Sequence, residues 1–138
     1  TVLMASGEDL PGNVKAVIAD CGYTSEWDEF QREADALHIP WFPVLNATSV
    51  LSKIRDGYDF KQASALAQVK KSRIPTLFIH GSSDELVPYS MLGELYAAAA
   101  CEKEELTVEG AGHALSSSVA PTLYWRTVED FIAKYLDR

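Results

Sequence analysis

The sequence predicts an α/β fold in which a parallel sheet of about three strands is flanked by helices. Three short aliphatic runs each end in a tight turn, and amphipathic stretches separate these runs along the 138 residues. Strands that alternate with helices form parallel sheets. We expect one domain over residues 1–138, although three strands are few for such a sheet, since sheets average about five or six. The chain is therefore expected to be part of a larger domain.

The chain is predicted to begin with a helix and a buried strand. Residues 1–6 form an apolar run that ends at Gly7, and a glycine after an apolar turn is a signal for a helix carboxyl terminus. The aliphatic run 14–19 stops at Asp20-Cys21-Gly22. Such a run is typical of a strand that is covered on both faces.

Further helices are predicted before the second strand. Ser25 and Asp28 have capping-box spacing, which indicates a helix start. The apolar face that follows is formed by Trp27, Phe30, Ala34 and Leu37. The prolines of segment 40–43 end this helix, and another is expected over 47–55, with a weaker helical stretch over 59–71. The residues predicted to face inward from 47–55 are Val50, Leu51 and Ile54.

The second half alternates strand and helix. A strand is predicted over 74–80, and Pro88 suits the first turn of the next helix. The apolar side of that helix comprises Met91, Leu92, Leu95, Tyr96 and Ala99. The third strand is expected over 104–108 and the last helix over 120–135. The apolar stripe of the last helix comprises Tyr124, Val128, Phe131, Ile132 and Tyr135.

Composition argues against several classes of function. The formal net charge is −8, with 12 Lys and Arg against 20 Asp and Glu, so we expect no nucleic-acid partner. No apolar run approaches the roughly 18–20 residues of a membrane span. Cys21 and Cys101 form no Cys-x-x-Cys pair, so neither a disulfide framework nor a metal site is expected. The sequence lacks the glycine-rich nucleotide motifs, so no cofactor is expected.

Asp84 and His113 are the candidate catalytic residues. Each follows a predicted strand, and functional groups of open parallel sheets gather beyond the carboxyl ends of the strands. A carboxylate that orients an imidazole forms two-thirds of a nucleophile–base–acid triad. The alternatives are a helix cap for Asp84 and a turn histidine for His113. Asp20 is the reserve acid, and His80 is interpreted as a packed, hydrogen-bonded structural residue.

Four residues are candidates for substrate binding. Tyr23 and Trp27 belong to an aromatic region after the first strand, and segment 24–60 is a candidate lid-like helical insertion. Leu86 and Val87, which follow Asp84, are assigned to the same pocket. Packing in the core is the alternative for the aromatic residues. None of the serines lies in a Gly-x-Ser-x-Gly elbow, so the sequence offers no candidate nucleophile.

The chain resembles the carboxyl-terminal half of the α/β-hydrolase superfamily, and in particular bacterial serine hydrolases described as esterases or cell-surface hydrolases. The resemblance is carried by the segments His80–Pro88 and Gly110–His113, together with Asp20-Cys21-Gly22-Tyr23-Thr24-Ser25. It implies that Asp84 is the acid and His113 the base, in the family's order of serine, acid and histidine. It also implies that the nucleophile precedes Thr1.

The resemblance implies hydrolysis of a small-molecule acyl substrate, most simply a carboxylic ester, by the intact protein. The 138-residue chain supplies acid and base without a nucleophile and is expected to be inactive alone. A peptidase or a thioesterase of the same fold is an alternative, and so is a non-catalytic module or degenerate hydrolase used for association. The strand over 14–19 is expected to expose an unpaired edge, so we expect the chain to self-associate.

Overall fold

A computed structural model describes residues 1–136, which form a three-layer α/β arrangement. The three strands pair in parallel in the order β1-β2-β3, which confirms the predicted fold class. The strands are β1 (Val17–Asp20), β2 (Thr76–Gly81) and β3 (Lys103–Val108). The helices are α1 (Val2–Ser6), α2 (Glu26–Ala36), α3 (Trp41–Asp56), α4 (Ala65–Val69), α5 (Ser90–Ala98), α6 (Ser116–Val119) and α7 (Pro121–Ala133).

Two hydrophobic clusters cover the two faces of the sheet. On one face, Phe78 of β2 packs among residues of α1, α4 and α5. On the other face, Leu77 and Ile79 pack against Val128 and Phe131 of α7. Side chains alternate between the faces along a strand, so a continuous aliphatic run serves both clusters. The central strand β2 is buried along its whole length.

The first strand is shorter than predicted. The sequence predicts a strand over 14–19, but pairing begins at Val17, which lies opposite Thr76. Pro75 precedes the first residue of β2 and has no N–H to contribute to the ladder, although its carbonyl accepts the N–H of Val17. Residues 14–16 therefore have no strand partner.

Helix α2 begins as predicted, whereas α3 differs in its start and in its buried face. The Ser25 hydroxyl accepts the N–H of Asp28 and caps α2. Helix α2 ends at Ala36, before the prolines of segment 40–43, and α3 then begins at Trp41, earlier than predicted. Phe42 takes the extended conformation that precedes a proline, and Pro43 then fits the first turn of the main part of α3.

The prediction that the apolar residues of 47–55 face inward is wrong. Val50, Leu51 and Ile54 are 57%, 62% and 78% exposed. The helix contacts α2 through a different side, and Ser49 is the buried residue of α3.

The remaining differences lie in segments rich in polar side chains. The helix expected over 59–71 is confined to α4, because Asp59 accepts bonds from Ser49, Lys53 and the N–H of Lys61, and these local bonds compete with helix formation. Pro88 lies two residues before α5. The short helix α6 was not predicted.

Among residues 1–136, no helix is long and apolar enough to cross a membrane.

Candidate active site

The turns after β2 and β3 are joined by hydrogen bonds, and this junction builds the candidate site. The Ser83 N–H donates to the Ala111 carbonyl at 3.0 Å, and the Gly110 N–H donates to the Ser82 hydroxyl at 2.9 Å. Gly81 is required at the end of β2, because a Cβ there would lie 2.2 Å from the Ala111 carbonyl oxygen. The close approach of the two turns fixes the positions of the side chains that follow.

The structure brings Asp84 and His113 together across this junction. The His113 Nδ1 lies 2.9 Å from Asp84 Oδ2. Because a carboxylate accepts, Nδ1 carries the proton and Nε2 is left with a free lone pair. The other carboxylate oxygen, Oδ1, accepts the N–H groups of Leu86 at 3.0 Å and Val87 at 2.9 Å. The carboxylate is buried, whereas the His113 side chain is 36% exposed.

The hydrogen bonds around Asp84 keep it ionised. Burial alone raises the pKa of the Asp84 carboxyl, but hydrogen bonds from the Val87 N–H and His113, the adjacent Cys21 thiol and the charge of His113 outweigh burial and lower that pKa below its ordinary value. An ionised Asp84 can hold the His113 imidazole in one tautomer and stabilise its protonated form. This is the electrostatic requirement for an acid–base pair in acyl transfer.

Cys21 connects the end of β1 to the same site. It has a positive φ of 53°, and its thiol accepts the N–H of Ala114 at 3.3 Å and donates to Asp20 at 3.2 Å. Burial is the main cause that raises the pKa of the Cys21 thiol to about 12. The thiol therefore stays protonated at neutral pH.

A metal ion is one conceivable occupant of the site. In the described part of the chain, Cys21, Asp84 and His113 form a group whose potential ligand atoms lie within 4.8 Å of one another. In this structure Nδ1 of His113 donates to Asp84, and the Cys21 thiol donates to Asp20 and accepts the N–H of Ala114. The three residues thus belong to one hydrogen-bonded network.

Asp20, the reserve acid, lies at the end of β1 and takes other partners. Its carboxylate accepts from the Cys21 thiol and is hydrogen-bonded to Tyr124. Burial first, and then the charge of Asp20, raises the pKa of Tyr124. The partner of His113 within residues 1–136 is Asp84.

The candidate substrate-binding residues differ in their exposure. Tyr23 lines a groove of about 130 Å³ beside Cys21 and the start of α1, and Leu86 is exposed. Trp27 is partly buried beneath the Lys61 ammonium, 4.4 Å from the ring centre. Val87 is buried and contributes to the site through its backbone, so its side chain offers a substrate little surface. Substrate binding by these residues and a lid role for α2 and α3 stay predictions.

Sequence reasoning missed two neighbours of the acid. The sequence predicts a packed structural role for His80 and assigns Cys21 to no site, yet both residues lie close to Asp84. A signal for His80 was available, because it is the one titratable residue in a strand of otherwise uncharged residues. For Cys21 the signal was its position directly after a strand end, where functional groups gather.

Comparisons with known proteins place this geometry in context. No family model matches the sequence. The uncharacterized protein YqkD of Bacillus subtilis is 29% identical over 133 residues, which are 96% of this chain and 44% of that protein. The uncharacterized protein Rv2307c of Mycobacterium tuberculosis is 32% identical over 81 residues, 59% of this chain and 25% of that protein. The chain thus spans less than half the length of these relatives.

Solved structures decide the fold. The Pyrococcus furiosus esterase Pf2001 superposes with a TM-score of 0.69 at 17% identity, over 98% of this chain and 49% of the esterase. The esterase domain of a Rhodothermus marinus protein gives a TM-score of 0.67 at 19% identity, over 98% and 55% of the two chains. The chain has an α/β-hydrolase fold. It spans about half of each solved esterase, as expected for the carboxyl-terminal half of that fold.

The same α/β-hydrolase fold also occurs in a peptidase. The acylaminoacyl peptidase of Pyrococcus horikoshii superposes with a TM-score of 0.66 at 16% identity, over 96% of this chain and 21% of the peptidase. Identities this low show the fold alone. The chemistry has to be argued from the site.

Proposed function

We propose that the intact protein is a serine hydrolase that cleaves carboxylic esters, with Asp84 as the acid and His113 as the base. The observation that supports this proposal best is the 2.9 Å hydrogen bond between Asp84 Oδ2 and His113 Nδ1. It leaves the other imidazole nitrogen, on a partly exposed ring, free to accept a proton. A nucleophile outside this sequence, on the amino-terminal side, completes the triad.

The reaction follows from these positions in two steps. The serine oxygen attacks the ester carbonyl while His113 Nε2 accepts the hydroxyl proton, and Asp84 stabilises the resulting imidazolium. His113 then protonates the departing alkoxide as the ester C–O bond breaks, which leaves an acyl-enzyme. Water, deprotonated by the same nitrogen, attacks the acyl-enzyme, releases the carboxylic acid and restores the serine.

The position of α1 supports a nucleophile on the amino-terminal side. Residues 1–4 line the same groove as residues 20–23, which include Cys21. The Cys21 sulfur lies within 4.8 Å of potential ligand atoms of Asp84 and His113. A serine on a turn that leads into α1 would therefore emerge close to the acid–base pair.

The test is hydrolysis of p-nitrophenyl butyrate by the full-length protein and by the 138-residue chain. We expect activity from the former only. His113→Asn in the full-length protein should abolish turnover, whereas His38→Asn, at an exposed histidine in another turn, should leave it unchanged. Preference for the matched thioester or p-nitroanilide would instead identify a thioesterase or a peptidase. Turnover at the wild-type rate in His113→Asn would contradict the proposal.

We also propose that the 138-residue chain self-associates through the edge of β1. Within residues 1–136, β1 pairs with β2 alone, and an open strand edge is a template for pairing. Sedimentation velocity at micromolar concentration should show a dimer or larger species. Leu51→Glu on the exposed side of α3 should leave that species intact, and its dissociation would assign the contact to α3 instead. A monomer at all concentrations would contradict self-association.

A further inference from the structure

His80 makes a second imidazole contact with the Asp84 carboxylate. It lies near the end of the central strand, and its side chain is fully buried. Its Nε2 is 3.0 Å from the Val87 carbonyl oxygen and 3.2 Å from Asp84 Oδ2. Because both neighbours are acceptors, Nε2 carries the proton; it donates this proton to the Val87 carbonyl, and the positive end of the N–H group lies beside the Asp84 carboxylate. The hydrogen-bond network therefore assigns one tautomer to His80.

His80 adds a polar contact to the donors around Asp84. Oδ2 accepts the His113 Nδ1–H and lies 3.2 Å from His80 Nε2, and Oδ1 accepts the two backbone N–H groups of the following turn. Rotation of the carboxylate about its last torsion angle would break several of these bonds at once. His80 thus holds the oxygen that His113 needs in the plane where the Asp84–His113 bond forms.

The other side of the His80 ring argues against a purely structural role. Its Nδ1 is buried and has no hydrogen-bond partner among the described residues. An unpaired buried polar atom costs free energy, so the histidine is explained by what its other nitrogen does. Nε2 donates to the Val87 carbonyl, in the turn whose Val87 N–H holds Asp84 Oδ1, and it contacts Asp84 Oδ2 itself. The edge-on contact with the Tyr89 ring, at 6.0 Å between centroids, gives no reason for a polar ring.

We propose that His80 is a positioning residue that acts on the reaction through Asp84. The proposal rests on the proposed function of Asp84 and His113. It predicts that removal of the Nε2 donor slows the chemical step while substrate binding is unaffected, because His80 is buried behind the acid and offers no surface to a substrate.

The experiment compares His80→Leu and His80→Gln in the full-length protein. The Gln side-chain amide keeps a donor near the position of Nε2, whereas Leu removes it. We expect kcat for p-nitrophenyl butyrate to fall about 10- to 100-fold in His80→Leu, the range for loss of one polar contact to a charged group, with KM nearly unchanged. His80→Gln should recover most of this loss. Ile79→Val, a buried change on the opposite face of β2, is the matched control for lost packing.

A spectroscopic readout separates this proposal from the proposed function. The His113 Nδ1–H proton, observed by NMR in the full-length protein, should shift or broaden in His80→Leu and stay unchanged in Ile79→Val. If the wild-type protein hydrolyses no ester, the proposed function fails, and the NMR result still tests the positioning role. Wild-type kcat together with an unshifted His113 resonance in folded His80→Leu would overturn the inference. Equal losses of kcat in His80→Gln and His80→Leu, with a loss of similar size in Ile79→Val, would also overturn the inference.

Discussion

The substitution Asp84→Asn tests the assignment of the acid, because it changes the charge with almost no change in shape. The carbonyl oxygen of Asn can still accept the two N–H groups that Oδ1 accepts, at 3.0 and 2.9 Å. The amide NH₂ then replaces Oδ2 and meets two N–H donors, His113 Nδ1 and His80 Nε2. Donor facing donor leaves His113 Nδ1 without its acceptor, and it leaves His80 Nε2 with the Val87 carbonyl alone.

The consequences for His113 and for His80 differ. His113 can satisfy Asn by moving its proton from Nδ1 to Nε2, but Nε2 then has no lone pair with which to accept a proton from the nucleophile. His80 cannot make the same change, because its Nε2 also faces the Val87 carbonyl. We expect kcat to fall about 10⁴-fold, as when a triad histidine is held in the wrong tautomer. The free energy of unfolding should fall by about 1–3 kcal/mol for the buried groups left unpaired.

The assay is steady-state ester hydrolysis by the full-length protein, with urea unfolding as the stability measurement. Asp20→Asn is the matched control, since Asp20 also ends a strand but bonds Cys21 and Tyr124. We expect its kcat to stay within about threefold of wild type, below the change of one lost hydrogen bond. Turnover near wild type in Asp84→Asn would refute the assignment, and a large loss in Asp20→Asn would transfer the role to Asp20.

Three further predictions follow from the same site. The pKa of Asp84 is lowered in the folded state, so its contribution to stability is fully present above its ordinary pKa of 3.8 and is lost as the pH falls through the lower folded value. Urea unfolding between pH 6 and pH 2 should show this loss in wild type and not in Asp84→Asn. The Cys21 thiol is buried and has a pKa of about 12, so iodoacetamide at pH 8 should leave it unmodified in the native protein and modify it in urea. Rapid labelling of Cys21 in the native protein would contradict its burial. Gly81→Ala should destabilise the protein by about 1–3 kcal/mol because the new Cβ meets the Ala111 carbonyl, whereas Gly93→Ala, in open space on α5, should stabilise it by up to about 1 kcal/mol. Equal effects of the two substitutions on the melting temperature would contradict the close approach of Gly81 and Ala111.

The parts of the fold that could be predicted are those that short-range rules determine. The cap formed by Ser25 and Asp28 follows from spacing along one helical turn. The buried residues of α7 follow from helical periodicity, with Val128 and Phe131 in the core. Asp84 and His113 were identifiable because each follows a strand of the same parallel sheet.

The features that could not be predicted depend on long-range packing between elements. Periodicity places Val50, Leu51 and Ile54 on one side of α3, but it does not say whether another element covers that side, and within residues 1–136 they are exposed. The contact of His80 with Asp84 depends on how the turn after β2 folds back over the end of the strand. The contact of Cys21 depends on the pairing of β1 with β2, which places Asp20 opposite Ile79. The positions of His80 and Cys21 in the sequence mark them as candidates, but the contact that each makes with the site is not encoded in a local pattern.

The central claim is that Asp84 and His113 activate a serine that lies outside these 138 residues. The most direct measurement is to treat the full-length protein with a fluorophosphonate and to map the adduct by mass spectrometry, in wild type and in His113→Asn. The account predicts one phosphonylated serine, located on the amino-terminal side of this sequence, and labelling roughly 10³-fold slower without the imidazole. An adduct on a serine within residues 1–138, or equal labelling rates in the two proteins, would contradict it.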